Sequence, residues 1–345
     1  MLTIPAYHMK FHLIKKAFLL VISPISVFLF SLFFCLSSTY AQPKRIWLDC
    51  DLMIGLPERA PREVDDAITL MMALNQKDKV DIVGISLVTY VDYAYQTTEK
   101  LLKWYAPDRK IPIYKGSDKC GDVGVENDAT RALATALRKE KLSILAIGPA
   151  TNIATVIKNH PELISQIIDI SFCAGRQPGF SFKPGLERAT VSDYNFEKDV
   201  EAFRVILDSD VKMILSGFEC SAYLLLGKTD FEFLNNNFEG DKWVYEQLVP
   251  WAQRHKTLFG VLGFIPFDTT PLGYYTHPEH FKFYENIPTQ INIRKNDATI
   301  GQNRPAEKPF LECSYQYESK WKVLYAYKTL PGFEEILIES LKTKK

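Results

Sequence analysis

Short apolar runs alternate along this chain with segments whose apolar residues recur at helical spacing. Ile46-Trp47-Leu48 is the first run of the mature region, and Val80–Val88, Ile111–Tyr114, Leu142–Ile147, Ile168–Cys173 and Val211–Leu215 follow it. Each is short and rich in branched or aromatic side chains, the mark of a strand buried on both faces. Between them lie helical patterns. One opens at Asp65, with Ile68, Leu70, Met71, Met72 and Leu74 clustered on one side of an amphipathic helix. Others cover Tyr93–Tyr105, Asp128–Lys139, a stretch from Thr151, Asp199–Leu207 and Asp241–Leu258. Thr289–Ile293 and Trp321–Tyr327 read as late strands and Gly332–Leu341 as a closing helix. This alternation predicts βαβ units and an α/β fold: a central, mostly parallel sheet flanked by helices, with a Rossmann-like core. No Ser/Gly/Pro-rich linker interrupts it, so residues 42–345 are expected to form one domain.

The N-terminus breaks the pattern. Lys10, Lys15 and Lys16 precede an apolar stretch from Ala17 to Leu36, and Thr39-Tyr40-Ala41 supplies a small-x-small cleavage signature before Gln42. That is the layout of a secretory signal peptide, which places the mature protein outside the cytoplasm, secreted or periplasmic. The length of the apolar run also suits an uncleaved anchor, but Pro24 and the Ala41 site favour cleavage, so no stable membrane insertion is expected. Phe33-Phe34 is a poor context for a lipid anchor on Cys35. The remaining cysteines, Cys50, Cys120, Cys173, Cys220 and Cys313, are odd in number and lack paired spacing, so neither a disulfide framework nor a zinc motif is suggested. With 41 basic against 41 acidic residues, the chain has no electrostatic reason to bind nucleic acid.

The candidate chemistry sits at strand ends. Asp49 and Asp51 close the first strand and Asp65-Asp66 open the next helix. In open α/β sheets, ligands bind at the carboxyl ends of the strands. Acidic groups gathered there repel one another unless a cation or protons offset the charge, and oxygen ligands suit a hard cation. An isolated Asp-Asp at a helix start is ordinarily a cap; two more aspartates from the preceding strand make capping insufficient. Further pieces are weaker. Gly148-Pro149-Ala150-Thr151 starts a helix and frees a carbonyl, Asp193-Tyr194-Asn195 precedes the Asp199 helix, and Asp268 precedes another. Alone, each reads as a structural turn or cap.

Taken in order, Leu48-Asp49-Cys50-Asp51, Asp65-Asp66-Ala67, Gly148-Pro149-x-Thr151-Asn152-Ile153-Ala154, Asp193-x-Asn195 and Asp268 resemble the inosine–uridine preferring nucleoside hydrolase family across nearly the whole mature chain. Ile111-Pro112-Ile113-Tyr114-Lys115-Gly116 is similar to a family segment too. The resemblance implies a nucleoside hydrolase-like domain, a nucleoside as small-molecule substrate and a calcium ion beneath a ribose pocket. Asp51, Asp66, the main-chain oxygen of Ile147 and Asp268 would hold the calcium. Asp51 would also be the general base toward a calcium-bound water. Asp65 and Asn195 would hold the ribose 2′-hydroxyl. Asp268 would touch the substrate as well, and Asp193 stands where the family usually has a Glu reaching the 5′-hydroxyl. Asp49 would support the cluster from behind. The family is commonly oligomeric, which allows a homo-oligomer here.

Three departures stand out. Residues 52–64 form a longer connection than the family usually has before Asp65. Thr89-Tyr90-Val91-Asp92 replaces the family's Gly-Asn after the second strand. Phe267 stands where a His, associated with protonating the leaving base, usually precedes the last calcium Asp; His255, Arg254 and Tyr274 are nearby in sequence. Phe267 and the insertion also motivate a ribose- or nucleoside-binding protein without turnover. A phosphohydrolase using Asp49-Cys50-Asp51 as a nucleophile–acid pair is a third reading, weakened by Leu52, Met53 and Ile54 where a small hydroxyl residue is needed.

Overall fold

The structure, a computed structural model, describes residues 42–57, 61–181, 183, 190–236, 238–299 and 304–342; the expected leader lies outside them. In chain order come β1 (Lys44–Cys50), α1 (Asp65–Asn75), β2 (Val80–Leu87), α2 (Val91–Tyr105), β3 (Ile113–Lys115), α3 (Asp128–Lys139), β4 (Leu142–Ala146), α4 (Thr151–Asn159) and β5 (Ile167–Cys173). Then follow α5 (Tyr194–Lys198), α6 (Val200–Asp208), β6 (Met213–Ser216), α7 (Phe218–Ser221), α8 (Lys228–Phe231), α9 (Glu239–Phe259), α10 (Thr269–Thr276), β7 (Phe281–Lys295), β8 (Glu307–Cys313), β9 (Lys322–Thr329) and α11 (Phe333–Leu341). Pro43–Lys345 form one compact unit.

The strands make a single sheet in the order β3-β2-β1-β4-β5-β6-β9-β7-β8. From β3 to β9 all neighbours are parallel; β7 and β8 extend the far edge antiparallel. The chain runs outward from β1 to β3 and then returns to β4 on the other side of β1. That reversal opens a crevice at the carboxyl ends of β1 and β4, where α/β sheets place ligands. Alternation along β1 feeds two cores. Ile46, Leu48 and Cys50 pack with α1, α2, α9 and α11 on one face, while Trp47 packs with α3, α4 and α6 on the other.

The expected elements are present, with three differences of physical interest. The helix from Asp65 is not amphipathic in its surroundings: all of Asp65–Leu74 is buried, because α10 and α11 cover the side that the periodicity leaves to solvent. The strand expected at Thr289–Ile293 is the middle of a fifteen-residue strand. Its partner β8 was not expected at all, since Lys308 and Glu312 break the apolar alternation; both are buried.

Gly84, in the middle of β2, lowers strand propensity. It is needed because the Trp47 ring lies over it: a Cβ there would overlap the indole. Trp47 also stacks on Tyr114, centroids 5.7 Å apart, and its Nε1 donates to Ser86 Oγ at 2.8 Å. Ser86 Oγ in turn donates to Asp49 Oδ1, so the indole sets the end of β1. Gly84→Val is therefore expected to destabilise by about 1–3 kcal/mol through overpacking. Urea unfolding measures it, and an unchanged midpoint would mean that the indole is free to move.

Candidate active site

Asp49 and Asp51 sit two apart at the end of β1 but meet different surroundings. Asp49 is fully buried behind the cavity wall. Its Oδ1 accepts from Ser86 and from Asn152 Nδ2 at 2.9 Å, and burial pushes its pKa up to about 7. Asn152 is fixed in turn: its Oδ1 accepts from Ser117 N–H at 2.9 Å. An Asp49 so enclosed cannot serve as an attacking nucleophile, which removes the phosphohydrolase reading. Asp51 lines the cavity, and its Oδ2 is buried without a hydrogen-bond partner.

Asp65 and Asp66 arrive from the start of α1. Neither caps it: the N-cap is Val64, without a side-chain cap bond. Asp66 Oδ1 instead accepts the backbone N–H of Asp51 at 3.0 Å, tying the helix start to the strand end. Asp268 precedes α10, again without a side-chain cap bond. Oxygens of Asp65, Asp66 and Asp268 lie within 4.8 Å of one another; Asp51 stands beside this trio rather than within it. Asp268 accepts from the Cys173 thiol and Asp66 bonds to Asp268. Burial, then the charge of neighbouring carboxylates with Asp65 among them in each case, holds the carboxyls of Asp51, Asp66 and Asp268 well above the usual range. Burial and Glu63 push Asp65 up to about 7. Such a group keeps bound protons or takes a cation.

The donors fit a hard divalent cation: several carboxylate oxygens, one of them orphaned, with a main-chain carbonyl beside them. Cys173 does not compete, since burial raises its thiol pKa far above neutrality. The carbonyl of Ile147 faces the same cavity and accepts from Asn195 Nδ2 at 3.0 Å. Asn195 also donates to Cys173 O at 3.3 Å. Asp193 makes no Asx turn; its Oδ2 accepts Gly175 N–H at 2.8 Å. Burial raises its pKa to about 6, with Arg176 working against the rise. Asp51, Asp65, Asp66, Asp193, Asn195 and Asp268 thus border one cavity.

The rest of this cavity of about 280 Å³ is largely aromatic: Phe218, Trp251, Phe259 and Phe267 line it together with Arg254 and His255, while Glu63 joins the acidic side. The volume suits a small ligand at the lower end of usual binding clefts. His255 is sandwiched between Trp251 and Phe259, each 5.0 Å away between centroids. Its Nδ1 is buried without a partner, and burial lowers its pKa to about 4, so the ring is neutral at physiological pH. Sequence reasoning left His255 and Arg254 unplaced and missed Trp251 and Phe259. The signal was available: positions 251, 254, 255, 258 and 259 form one helical stripe. Glu63 was also missed. It comes from the 52–64 connection, which packs inward through buried Leu52, Met53, Ile54 and Leu56. That connection is also held by Tyr93 OH donating to Ile54 O at 2.8 Å. Two other candidates lie elsewhere: Asp92 is exposed and paired with Lys115 at 2.6 Å, and the Tyr274 hydroxyl accepts from Lys212 at 3.2 Å. Thr89 and Tyr90, in place of Gly-Asn, both adopt positive φ, 56° and 45°, a local strain at the end of β2.

Comparison with known proteins agrees with this geometry. The pyrimidine-specific ribonucleoside hydrolase RihB of Escherichia coli O157:H7 is 22% identical over 277 residues, covering 71% of this chain and 82% of that protein. Among solved structures, the plant nucleoside hydrolase PpNRh1 superposes with a TM-score of 0.69 at 16% identity, over 88% of this chain and 100% of that one. The purine-preferring ribonucleoside hydrolase from Gardnerella vaginalis gives 0.67 at 15% identity, over 86% and 98%. The sequence model of the inosine-uridine preferring nucleoside hydrolase family matches residues 46–325, a span that runs from the first strand through the acidic cluster and the aromatic wall to β9. The chain therefore belongs to the inosine-uridine preferring nucleoside hydrolases, enzymes that split the N-glycosidic bond of ribonucleosides.

Proposed function

We propose that this enzyme is calcium-dependent and cleaves ribonucleosides to ribose and free base, with the pentose over the aspartate cluster and the base against the aromatic wall. The observation that carries the reading is one cavity lined by a cluster of carboxylates and by aromatic rings. Asp51, Asp66, the Ile147 carbonyl and Asp268 would hold the calcium. When bound, the ion would lower the pKa of a water and offset the repulsion among the carboxylates.

Asp51 accepts a proton from the attacking water through its orphaned oxygen. The water oxygen bonds to the anomeric carbon as the C–N bond breaks, its electron pair leaving with the base. The sugar passes through an oxocarbenium-like state, whose positive charge the surrounding carboxylates stabilise. Asp65 and Asn195 orient the 2′-hydroxyl, Asp193 the 5′-hydroxyl, and Asp268 the remaining ribose oxygens. Neutral His255 offers one ring nitrogen to the base, since its Nδ1 is buried. The relatives' names include both pyrimidine-specific and purine-preferring enzymes, so they do not choose a base for this chain. We also propose that residues 1–41 direct export and are removed before Gln42.

Asp51→Ala is expected to lower kcat for ribose release by about 10²–10⁴-fold and to weaken calcium retention with it. A reducing-sugar assay with metal analysis on the same sample decides, and a fully active, metal-bearing variant removes Asp51 from the mechanism. Chelation should stop ribose release, and calcium should restore it. Because folding raises the Asp65 pKa from its ordinary 3.8 to about 7, the cation-free fold gains protons. Its stability is full below pH 4 on this account and declines as pH rises through 7. Calcium competes with those protons, so its stabilisation should grow from pH 5 to pH 8, reaching about 5 °C or more in melting temperature at saturation. A calcium shift independent of pH would contradict a carboxylate site. N-terminal sequencing of the exported protein should begin at Gln42; a retained leader would refute cleavage.

A further inference from the structure

Two basic side chains that do not line the cavity are buried almost completely: Arg176 is 1% and Lys308 4% exposed. Lys308, on β8, sits 2.6 Å from Glu197 and 2.9 Å from Asp297. Arg176 reaches Asp297 at 2.7 Å and lies over the rings of Phe218 and Phe310, each 4.8 Å away. The four charges cancel, two of each sign. Their placement is what matters. Glu197 Oε1, the atom that Lys308 grips, also accepts the backbone N–H of Asp193 at 2.9 Å. Arg176 pairs its backbone with β8, its N–H donating to Leu311 O at 3.0 Å and its carbonyl accepting Cys313 N–H at 2.9 Å. Its neighbour Gly175 gives the N–H that holds the Asp193 carboxylate. Asp193 and Asn195 ride on α5, five residues long, too short to be stable without tertiary support.

We infer that Lys308 is a positioning residue for the ribose end of the cavity: through Glu197 it fixes α5 and so aims Asp193 and Asn195. The inference rests on the ribose-binding roles proposed above for those two residues. β8 grips both segments that converge on Asp193, the Gly175-Arg176 turn by backbone pairing and α5 by the ion pair. A residue from the antiparallel edge thereby sets the geometry of a site built on the parallel sheet.

The test uses the full-length, calcium-loaded enzyme with wild type, Lys308→Met, Lys308→Arg, Asn195→Ala and the Lys308→Met/Asn195→Ala double variant. Ribose release is assayed on uridine and inosine, and amide exchange is followed over residues 190–198. Lys308→Met should raise KM about 10-fold while kcat changes by less than about 3-fold, the signature of lost binding geometry. Lys308→Arg should recover most of it. The double variant should lose less than the product of the two single effects, since Asn195 is one part of the load that Lys308 holds and Asp193 the other. The Asp193 amide should lose protection. An unchanged KM, effects that multiply in the double variant, or unaltered exchange would each overturn the assignment. Should Lys308→Met fail to fold, Glu197→Gln is read in its place; a smaller KM rise with faster Asp193 exchange supports the inference and no change refutes it. If wild type releases no ribose from either nucleoside, the proposed function falls, and the exchange measurement still decides whether Lys308 holds α5.

Discussion

Asp51, Asp65, Asp66 and Asp268 share one cavity with Glu63, and burial together with neighbouring acidic charge makes each of them hard to ionise. Left to itself, a chain would not bring such groups together, because removing a carboxylate from water without a partner costs more than any single contact returns. The rest of the structure can be understood as what makes this arrangement tolerable. Donors converge on it: the N–H of Asp51 meets Asp66, the N–H of Phe267 meets Asp65, and the start of α1 adds the positive end of its dipole. A cation held at the cluster of Asp65, Asp66 and Asp268 would complete what these donors begin. The demand for rigidity follows, and α1 meets it by being buried on every side.

The cavity joins two kinds of surface that come from different parts of the chain. Its acidic half is assembled from strand ends and helix starts whose positions are fixed by the parallel sheet. Its aromatic half comes from one stripe of α9, with Phe218 at the start of α7 and Phe267 before α10. The first half is constrained by repulsion, since the charges of Asp65 and Glu63 raise the pKa of both Asp51 and Asp66. The second is constrained only by packing, where substitutions of similar volume are tolerated. Phe267 stands in the aromatic half, whereas the 52–64 connection brings Glu63 to the acidic one.

The same asymmetry explains what could be read from the sequence. Parallel strands buried on both faces leave continuous apolar runs, so β1, β2, β4 and β5 were legible within a residue or so. The acidic pairs at their ends exceeded what capping could use, and the absence of cap bonds at Asp65, Asp66 and Asp268 bears this out. β8 was illegible because Lys308 and Glu312 occupy buried positions, and a single sequence cannot tell a paired buried charge from a solvated one. His255 was visible as a residue but not as a wall of the cavity, since its side of α9 depends on how that helix crosses the sheet. Glu63 hid inside what read as an insertion.

The illegible strand is also the one that carries the buried ion pairs, and the two facts share a cause. Buried pairs seldom add net stability over an apolar replacement of the same volume. A hydrophobic β8 would have been easier to read and no less stable. What oppositely charged pairs do, and apolar contacts do not, is fix a unique register, because a misaligned charge is left without its partner. Glu312 shows this on the same strand: it accepts from Asn292, Arg294 and Tyr317, at 2.7, 2.9 and 2.7 Å, and so locks β8 to β7 at one alignment. With that alignment set, Lys308 can meet Glu197 only one way. The polar interruptions that spoil the strand pattern are thus the means by which an edge hairpin holds a fixed relation to the acidic cavity.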